Sequence, residues 1–210
     1  MNTSFNIAVF ASGAGTTLQT LIDEQSQHGY RVAMVVANRE CLALDRAVDA
    51  GIPTLLSKDW ITINQALHGY HIQLIVLAGY LAIIPAWICQ EWDKQIINIH
   101  PSLLPKHGGK GMYGIRVQEA VLAAGDTEAG CTVHYVSAEV DGGHVLSQAV
   151  IEVHADDTPE TLSQRVQVEE KRLLPRTIAN LKNNTKQFNV KQRRTTRNLA
   201  SPHLCDYLAP

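Results

Sequence analysis

Two side chains that could do chemistry together stand at the end of an apolar run. Asn98 and His100 lie two residues apart in the segment Ile-Ile-Asn-Ile-His-Pro, and in an extended chain such residues point to the same side. An amide donor beside an imidazole can stabilise a developing oxyanion and move a proton. The same spacing fits a strand-end turn residue followed by a structural histidine, so these two residues alone leave both interpretations open.

A carboxylate that could join this pair lies in an Asp-Gly-Gly turn that begins at Asp141. The two glycines give the turn the freedom to bring Asp141 close to His100, and a carboxylate there favours the charged imidazolium. No metal centre is predicted, because His134, His144 and His154 are spaced like strand or surface residues rather than zinc ligands. The sequence also lacks the Gly-x-Ser-x-Gly motif of a nucleophilic serine.

A second chemical signal lies in residues 12–18, Ser-Gly-Ala-Gly-Thr-Thr-Leu, between a predicted strand and a predicted helix. Such a turn presents successive backbone N–H groups at the positive end of a helix, which suits a phosphate. Leu18 occupies the third glycine position of a dinucleotide-binding loop, and no Gly-Lys-Ser/Thr follows as in a Walker loop. The segment predicts either a mononucleotide phosphate site or a tight turn without a ligand.

Alternating strand-like and helix-like patterns must position these groups. Apolar runs predict strands, and helical periodicity with capping residues predicts the helices between them. The predicted strands are 5–11, 31–38, 54–56, 73–77 and 95–99, and the predicted helices are 16–27, 41–50, 57–69 with Ser57 as its cap, and 84–92. Strands that are apolar on both faces and separated by helices predict a parallel sheet covered on both sides, which is a doubly wound α/β fold.

The pattern changes in the second half of the chain. A helix is predicted at 115–124, and a glycine-rich turn joins predicted strands at 130–136 and 145–153, which favours an antiparallel pair. The last helix opens at an Asp-Thr-Pro-Glu sequence starting at residue 157. Its predicted apolar face consists of Leu162, Val166, Leu173 and Ile178. We therefore predict a mostly parallel sheet with a C-terminal antiparallel strand pair.

The domain organisation follows from a shift in composition near the C-terminus. Residues 1–181 are predicted to form one domain, and residues 182–210 a basic, flexible tail. These last 29 residues have little apolar periodicity and a single acid, Asp206. Their basic residues are Lys182, Lys186, Lys191, Arg193, Arg194 and Arg197. Contact with RNA or a membrane surface is one interpretation, but the composition favours a solvated extension, so neither partner is expected.

Composition and termini favour a cytoplasmic protein. The four cysteines are widely spaced, which favours free thiols in a reducing cytosol. No apolar run reaches about 18 residues, and the N-terminus lacks the pattern of a secretory signal. The formal net charge of −2 points neither toward nor away from nucleic acid.

Four separated segments resemble the folate-dependent formyltransferase family. The strongest is residues 98–106, Asn-Ile-His-Pro-Ser-Leu-Leu-Pro-Lys, followed at the family's distance by the Asp-Gly-Gly turn at 141–143. Residues 12–18 and the Leu-Ala-Gly-Tyr-Leu sequence at 77–81 also match, and residues 106–114 resemble one branch of the family. The resemblance spans about residues 5–181. Four motifs in the same order are far more specific than any one alone.

This resemblance implies a reaction between two small molecules. The amine of glycinamide ribonucleotide would attack the formyl carbon of 10-formyltetrahydrofolate, which serves as co-substrate, and no metal would be needed. Asn98 and His100 would stabilise the tetrahedral oxyanion, while Asp141 would hold and charge His100.

The same resemblance implies binding residues for both ligands. Residues that match the substrate site are Gly15, Thr16 and Thr17 at the 5′-phosphate, and Gln167 and Glu170 at the ribose and glycinamide end. Residues that match the folate site are Leu81, Ala82, Ile83, Ile84, Asn98, Ser137, Ala138, Glu139, Val140 and Asp141. The i, i+3 spacing of Gln167 and Glu170 places both on one helix face.

Some features depart from the family, and rival interpretations stay open. Ala82 stands where many relatives carry arginine, residues 57–71 form a shorter segment, and no basic residue is assigned to the glutamate tail of the folate. Another formyl-group enzyme of the same fold, similar to formyltetrahydrofolate hydrolase, is the nearest rival. A non-catalytic nucleotide-binding or RNA-binding module is a more distant one. The expected assembly is a monomer or a weak homodimer.

Overall fold

The computed structural model describes residues 4–198, with side chains described for residues 4–184. Its strands are β1 (Phe5–Ala11), β2 (Tyr30–Ala37), β3 (Thr54–Leu56), β4 (Leu74–Leu77), β5 (Ile96–His100), β6 (Glu128–Tyr135) and β7 (Val145–Glu152). Its helices are α1 (Thr16–His28), α2 (Leu42–Asp49), α3 (Trp60–Gly69), α4 (Ala86–Glu91), α5 (Ile115–Ala123) and α6 (Pro159–Asn198).

The strands form one sheet in the order β3-β2-β1-β4-β5-β6-β7. β1 to β5 pair in parallel, whereas β5 with β6 and β6 with β7 pair antiparallel. This confirms the predicted fold class. The chain winds outward from β1 toward β3 and then in the other direction through β4 and β5, so the strand order reverses between β1 and β4. Ligands of open α/β sheets bind at such a reversal, beyond the carboxyl ends of the strands.

Both faces of the central strands are buried, as the apolar strands predict, whereas the edge strands β3 and β7 are partly exposed. One core packs α1, α2, α5 and α6 against the sheet, with Ile7 and Val9 of β1 pointing into it. The other core lies under α3 and α4, and it receives Ala8 and Phe10 from the same strand. The alternation along β1 thus places consecutive apolar side chains in different cores, which is why this strand shows no polar face.

Two sequence predictions at the helices are wrong in detail. Asp59, not Ser57, caps α3, because its carboxylate accepts hydrogen bonds from the N–H groups of Ile61 and Thr62 at 3.1 and 3.2 Å. On α6 Leu174 is fully buried, whereas Leu173 is only partly buried and packs against the core. One row of buried side chains recurs every four residues along α6, at Leu162, Val166, Glu170, Leu174 and Ile178.

Helix α6 does not end at the predicted domain boundary after residue 181. It continues to Asn198, and the ammonium of Lys182 donates to the carbonyl of His28 at the end of α1, at 3.4 Å. Residues 199–210 lie outside the described residues. The division into a domain and a flexible tail therefore stays a prediction.

The thiols in the described part of the chain are Cys41, Cys89 and Cys131, all of them free, and Cys205 lies outside it. Burial raises the pKa of Cys131 to about 12, so this thiol stays protonated. Within residues 4–198, no helix combines the length and the apolar character needed to cross a bilayer.

The burial pattern of α6 leads to a stability test. We expect Leu174→Ala to lower the free energy of unfolding by about 2–5 kcal/mol, because it leaves a cavity in a close-packed core. Leu173→Ala is the matched control and should cost clearly less, since Leu173 is only partly buried. Denaturant unfolding of both variants checks this. A larger loss for Leu173→Ala would show that the other face of the helix packs against the sheet.

Candidate active site

A cavity of about 930 Å³ opens beyond the carboxyl ends of β1, β4 and β5. The sequence-predicted site residues all line it. They are Gly15, Thr16, Thr17, Leu81, Ala82, Ile83, Ile84, Asn98, His100, Ser137, Ala138, Glu139, Val140, Asp141, Gln167 and Glu170. Residues as far apart in the sequence as Gly15 and Glu170, which are 155 positions apart, therefore line the same cavity. Their individual roles stay predictions.

Asn98, His100 and Asp141 meet in the middle of this cavity. β5 carries Asn98 and the buried His100 on one side of the strand. Nδ1 of His100 lies 3.5 Å from Oδ2 of Asp141, and Nε2 of His100 donates to the carbonyl of His107 at 2.9 Å. Both ring nitrogens thus face acceptors.

The sequence analysis missed His134, which lies directly opposite Asn98 on β6. Its Nδ1 donates to the carbonyl of Tyr135 at 2.9 Å, and burial lowers the pKa of His134, so the ring is neutral. Nε2 must then be an acceptor, and it receives a hydrogen bond from Nδ2 of Asn98 at 3.1 Å. This contact fixes the amide orientation and leaves the second Nδ2 hydrogen free to point at a ligand.

Asp141 lies close to both histidines. Its Oδ2 faces His100, and its Oδ1 lies 3.6 Å from Nε2 of His134. The N–H of Gly109 donates to Oδ2 at 2.9 Å, so the carboxylate has a fixed direction. The glycine-rich turn places Asp141 in a left-handed conformation with φ of 56°, which aspartate tolerates better than most residues.

The predicted phosphate loop follows β1 and turns its carbonyls away from the cavity. Arg39 donates to the carbonyl of Ser12 at 2.7 Å, the N–H of Ala43 to that of Gly13 at 3.1 Å, and Arg46 to that of Ala14 at 2.8 Å. The first N–H groups of a helix have no intrahelical partner, so those of α1 remain for an anion. Gly15 is required at the start of α1, because it has φ of 69° and a Cβ there would lie 2.7 Å from Cα of Ala43.

One buried hydroxyl joins this loop to the opposite wall. Ser12 donates to Oδ1 of Asn38 at 2.8 Å and accepts the N–H of Leu81 at 3.0 Å. The loops after β1, β2 and β4 therefore meet at a single side chain. Beyond Leu81 the wall becomes an apolar rim, where Leu81, Ile83 and Val140 are 49%, 68% and 43% exposed.

Helix α6 supplies the third wall through Ser163, Gln167 and Glu170. Gln167 donates to Oγ of Ser163 at 3.3 Å, whereas Glu170 is buried in line with the apolar stripe of the helix. That burial raises the pKa of Glu170 to about 7. An acid at an i, i+4 core position is a signal that the sequence carries, and it singles out Glu170 independently of the family resemblance.

Two basic side chains of the described residues line the cavity, Lys110 and Arg116. The guanidinium of Arg116 lies 5.2 Å from the centre of the Tyr113 ring, a cation–π distance that limits its movement. The sequence analysis assigned no basic residue to this site. Among the described residues, no group of three or more His, Cys, Asp and Glu is arranged to hold a metal ion.

The sequence assigns this fold and its cavity to a known protein family. Residues 5–178 match the sequence model of the Formyl transferase family, which is most of the 210-residue chain. This chain therefore belongs to the formyl transferase family.

Similar proteins within that family include phosphoribosylglycinamide formyltransferases. The chain is 38% identical over 180 residues to the chloroplastic phosphoribosylglycinamide formyltransferase of Arabidopsis thaliana, covering 80% of this chain and 62% of that protein. It is 38% identical over 193 residues to the trifunctional purine biosynthetic protein adenosine-3 of Drosophila melanogaster, covering 85% of this chain. The crystal structure of phosphoribosylglycinamide formyltransferase from Anaplasma phagocytophilum superposes with a TM-score of 0.80 at 33% identity, covering 87% of this chain and 89% of that one.

The chain is shorter than the curated relatives that it matches. It spans 62% of the plant protein and 14% of the fly protein.

The environment of Glu170 predicts a pH dependence of stability. Its folded pKa of about 7 exceeds the ordinary 4.5, so the folded state binds this proton more tightly than the unfolded state. Stability from the protonated carboxyl is full below about pH 4.5 and is lost as the pH rises to about 7, by up to about 3 kcal/mol. Glu170→Gln should therefore raise the melting temperature more at pH 8 than at pH 5. Glu169→Gln, one position away, is the control, and equal effects of both variants would contradict the assignment.

Proposed function

We propose that this protein transfers the formyl group of 10-formyltetrahydrofolate to the amine of glycinamide ribonucleotide. The products would be formylglycinamide ribonucleotide and tetrahydrofolate, as in de novo purine biosynthesis. The observation that carries the proposal is the meeting of Asn98, His100 and Asp141 between a phosphate-type loop and an apolar rim. The named relatives agree with this reaction, since they are phosphoribosylglycinamide formyltransferases.

The cavity has room and walls for two different ligands. A volume of about 930 Å³ is at the upper end for small-molecule sites. The loop at Gly15, Thr16 and Thr17 offers backbone N–H groups to the 5′-phosphate. The apolar rim around Leu81 and Ile83, with the adjoining Ala82 and Ile84 and the 137–141 loop, offers a surface for the flat pterin ring.

Formyl transfer requires stabilisation of a tetrahedral oxyanion. The amine nitrogen forms a bond to the formyl carbon, the bond from that carbon to the folate nitrogen breaks, and a proton passes from the amine to the departing nitrogen. The free Nδ2 hydrogen of Asn98 would bond the oxyanion, because His134 holds the amide in place. The imidazolium of His100, paired with Asp141, would add a positive charge beside it.

The carboxyl of Glu170 fits the amine end of the substrate. With a pKa of about 7, it can accept a proton from a substrate ammonium near neutral pH, which would leave the amine free to attack. Gln167, four residues after Ser163 on the same helix face, would contact the ribose.

The partners in this proposal are two small molecules, and no metal takes part. An assembly as a monomer or weak homodimer stays a prediction, and so does a cytoplasmic location. One relative is named as chloroplastic, so location differs within the family. A formyltetrahydrofolate hydrolase, the main rival, would transfer the formyl group to water. Mass spectrometry of the product from an assay with both substrates distinguishes formate from formylglycinamide ribonucleotide.

The catalytic group is tested by substitution. We expect Asn98→Ala and His100→Ala each to lower kcat about 100- to 1,000-fold, or roughly 3–4 kcal/mol, because each removes stabilisation of the oxyanion. The double variant should lose less than the product of the two single losses, since these residues act as a unit. Steady-state kinetics of proteins with unchanged circular dichroism checks this.

The exposed His71→Ala is the control for a histidine substitution as such. Near-normal turnover in a folded His100→Ala protein would rule out the proposed mechanism. Formate as the main product of the unmodified protein would favour the hydrolase instead.

A further inference from the structure

The loop of residues 106–109 contacts both His100 and Asp141 through its backbone. The carbonyl of His107 accepts a hydrogen bond from Nε2 of His100 at 2.9 Å. Two residues later, the N–H of Gly109 donates to Oδ2 of Asp141 at 2.9 Å. The shape of this loop therefore sets where the imidazole and the carboxylate stand relative to each other.

Local backbone preference does not account for this shape. His107 has φ of 52°, in the left-handed region that residues with a Cβ rarely adopt. Such a conformation persists only when surrounding contacts hold it. On the inner side, the hydroxyl of Ser102 donates to the carbonyl of Lys106 at 2.6 Å and, more weakly, to that of His107 at 3.4 Å, which holds the backbone of the loop but not the side chain of His107.

Asp126, in the turn after α5, holds the side chain of His107. Its Oδ2 accepts a hydrogen bond from Nε2 of His107 at 2.8 Å, and its Oδ1 accepts one from Nζ of Lys106 at 2.9 Å. The side chains of His107 and Asp126 are only 15% and 17% exposed, so water screens this pair less than an open surface pair. Hydrogen bonds from His107 and Lys106 hold the pKa of Asp126 below its usual range, which keeps it an ionised acceptor.

We propose that His107 and Asp126 are a positioning pair for His100 and Asp141. This inference rests on the proposed function, because the positioning pair would serve that reaction. The contacts of His107 and Asp126 do not depend on which reaction is catalysed. Neither residue of the positioning pair touches the reacting atoms. Together they hold the loop so that the His107 carbonyl stays in line with Nε2 of His100, and both N–H groups of the imidazolium then have acceptors.

Loss of the positioning pair has a defined effect on His100. The titratable groups that face its ring are Asp141 and the neutral His134 on β6, and these remain. Lys106 points to Asp126, at the outer side of the loop. When His107 relaxes, the imidazolium loses its carbonyl acceptor while Asp141 stays, so the protonated ring becomes less favoured. The alkaline limb of the kcat profile should then move to lower pH.

The test uses His107→Phe and Asp126→Ala in the full chain. We expect kcat to fall about 10- to 100-fold, the range that a misplaced catalytic group costs, with KM for both substrates changed less than about threefold. The alkaline limb should shift to lower pH in both variants. His107→Gln, which restores a side-chain donor, should recover most of kcat. The control His68→Phe breaks an exposed histidine–carboxylate pair of 2.9 Å with Glu91 and should change nothing.

A second measurement separates this inference from the proposed function. The imidazole resonances of His100 are followed by NMR against pH in the unmodified protein and in His107→Phe, without substrates. A shift of that titration to lower pH supports the positioning pair even if formyl transfer is not observed. An unchanged titration in folded His107→Phe and Asp126→Ala proteins, or the same loss of kcat in His68→Phe, would overturn it.

Discussion

The structure depends on hydrogen-bond partners for two polar side chains at the end of a buried strand. Asn98 and His100 belong to β5, which is covered on both faces, and unpaired polar groups there would cost several kcal/mol. Their partners come from elsewhere in the chain: His134 of β6, the carbonyl of His107, and Asp141 of the turn after β6. The antiparallel strand β6 is therefore part of the proposed active site as well as of the sheet.

A reversal of strand order creates the space in which these groups act. Because β1 lies between β2 and β4, the loops that follow β1 and β4 diverge and leave a crevice above the sheet. Ser12 prevents this crevice from opening further, since its hydroxyl holds Asn38 and Leu81 at once. The phosphate-type loop and the apolar rim are thus kept at a fixed separation, with the end of β5 between them.

The ionisable groups of the cavity differ in how deeply they are buried and in which polar groups lie beside them. Burial lowers the pKa of His134 and raises that of Glu170 to about 7, because desolvation outweighs the effect of the charges near these two groups. Asp141 instead receives a backbone N–H and faces His100. In the proposed function, the acid at the amine end of the substrate would exchange a proton near neutral pH, and the carboxylate of Asp141 would stabilise the histidine that it faces.

The sequence by itself determined the α/β class, the strand runs and the shared side of Asn98 and His100, because these depend on periodicities within a few residues. The tertiary structure decided which side chains contact Asn98 and His100. The pairing of Asn98 with His134 joins positions 36 residues apart, and it follows from the antiparallel register of β5 and β6, which no local pattern specifies. The left-handed His107 likewise depends on Asp126, 19 residues away, so only the folded chain shows why its carbonyl faces His100.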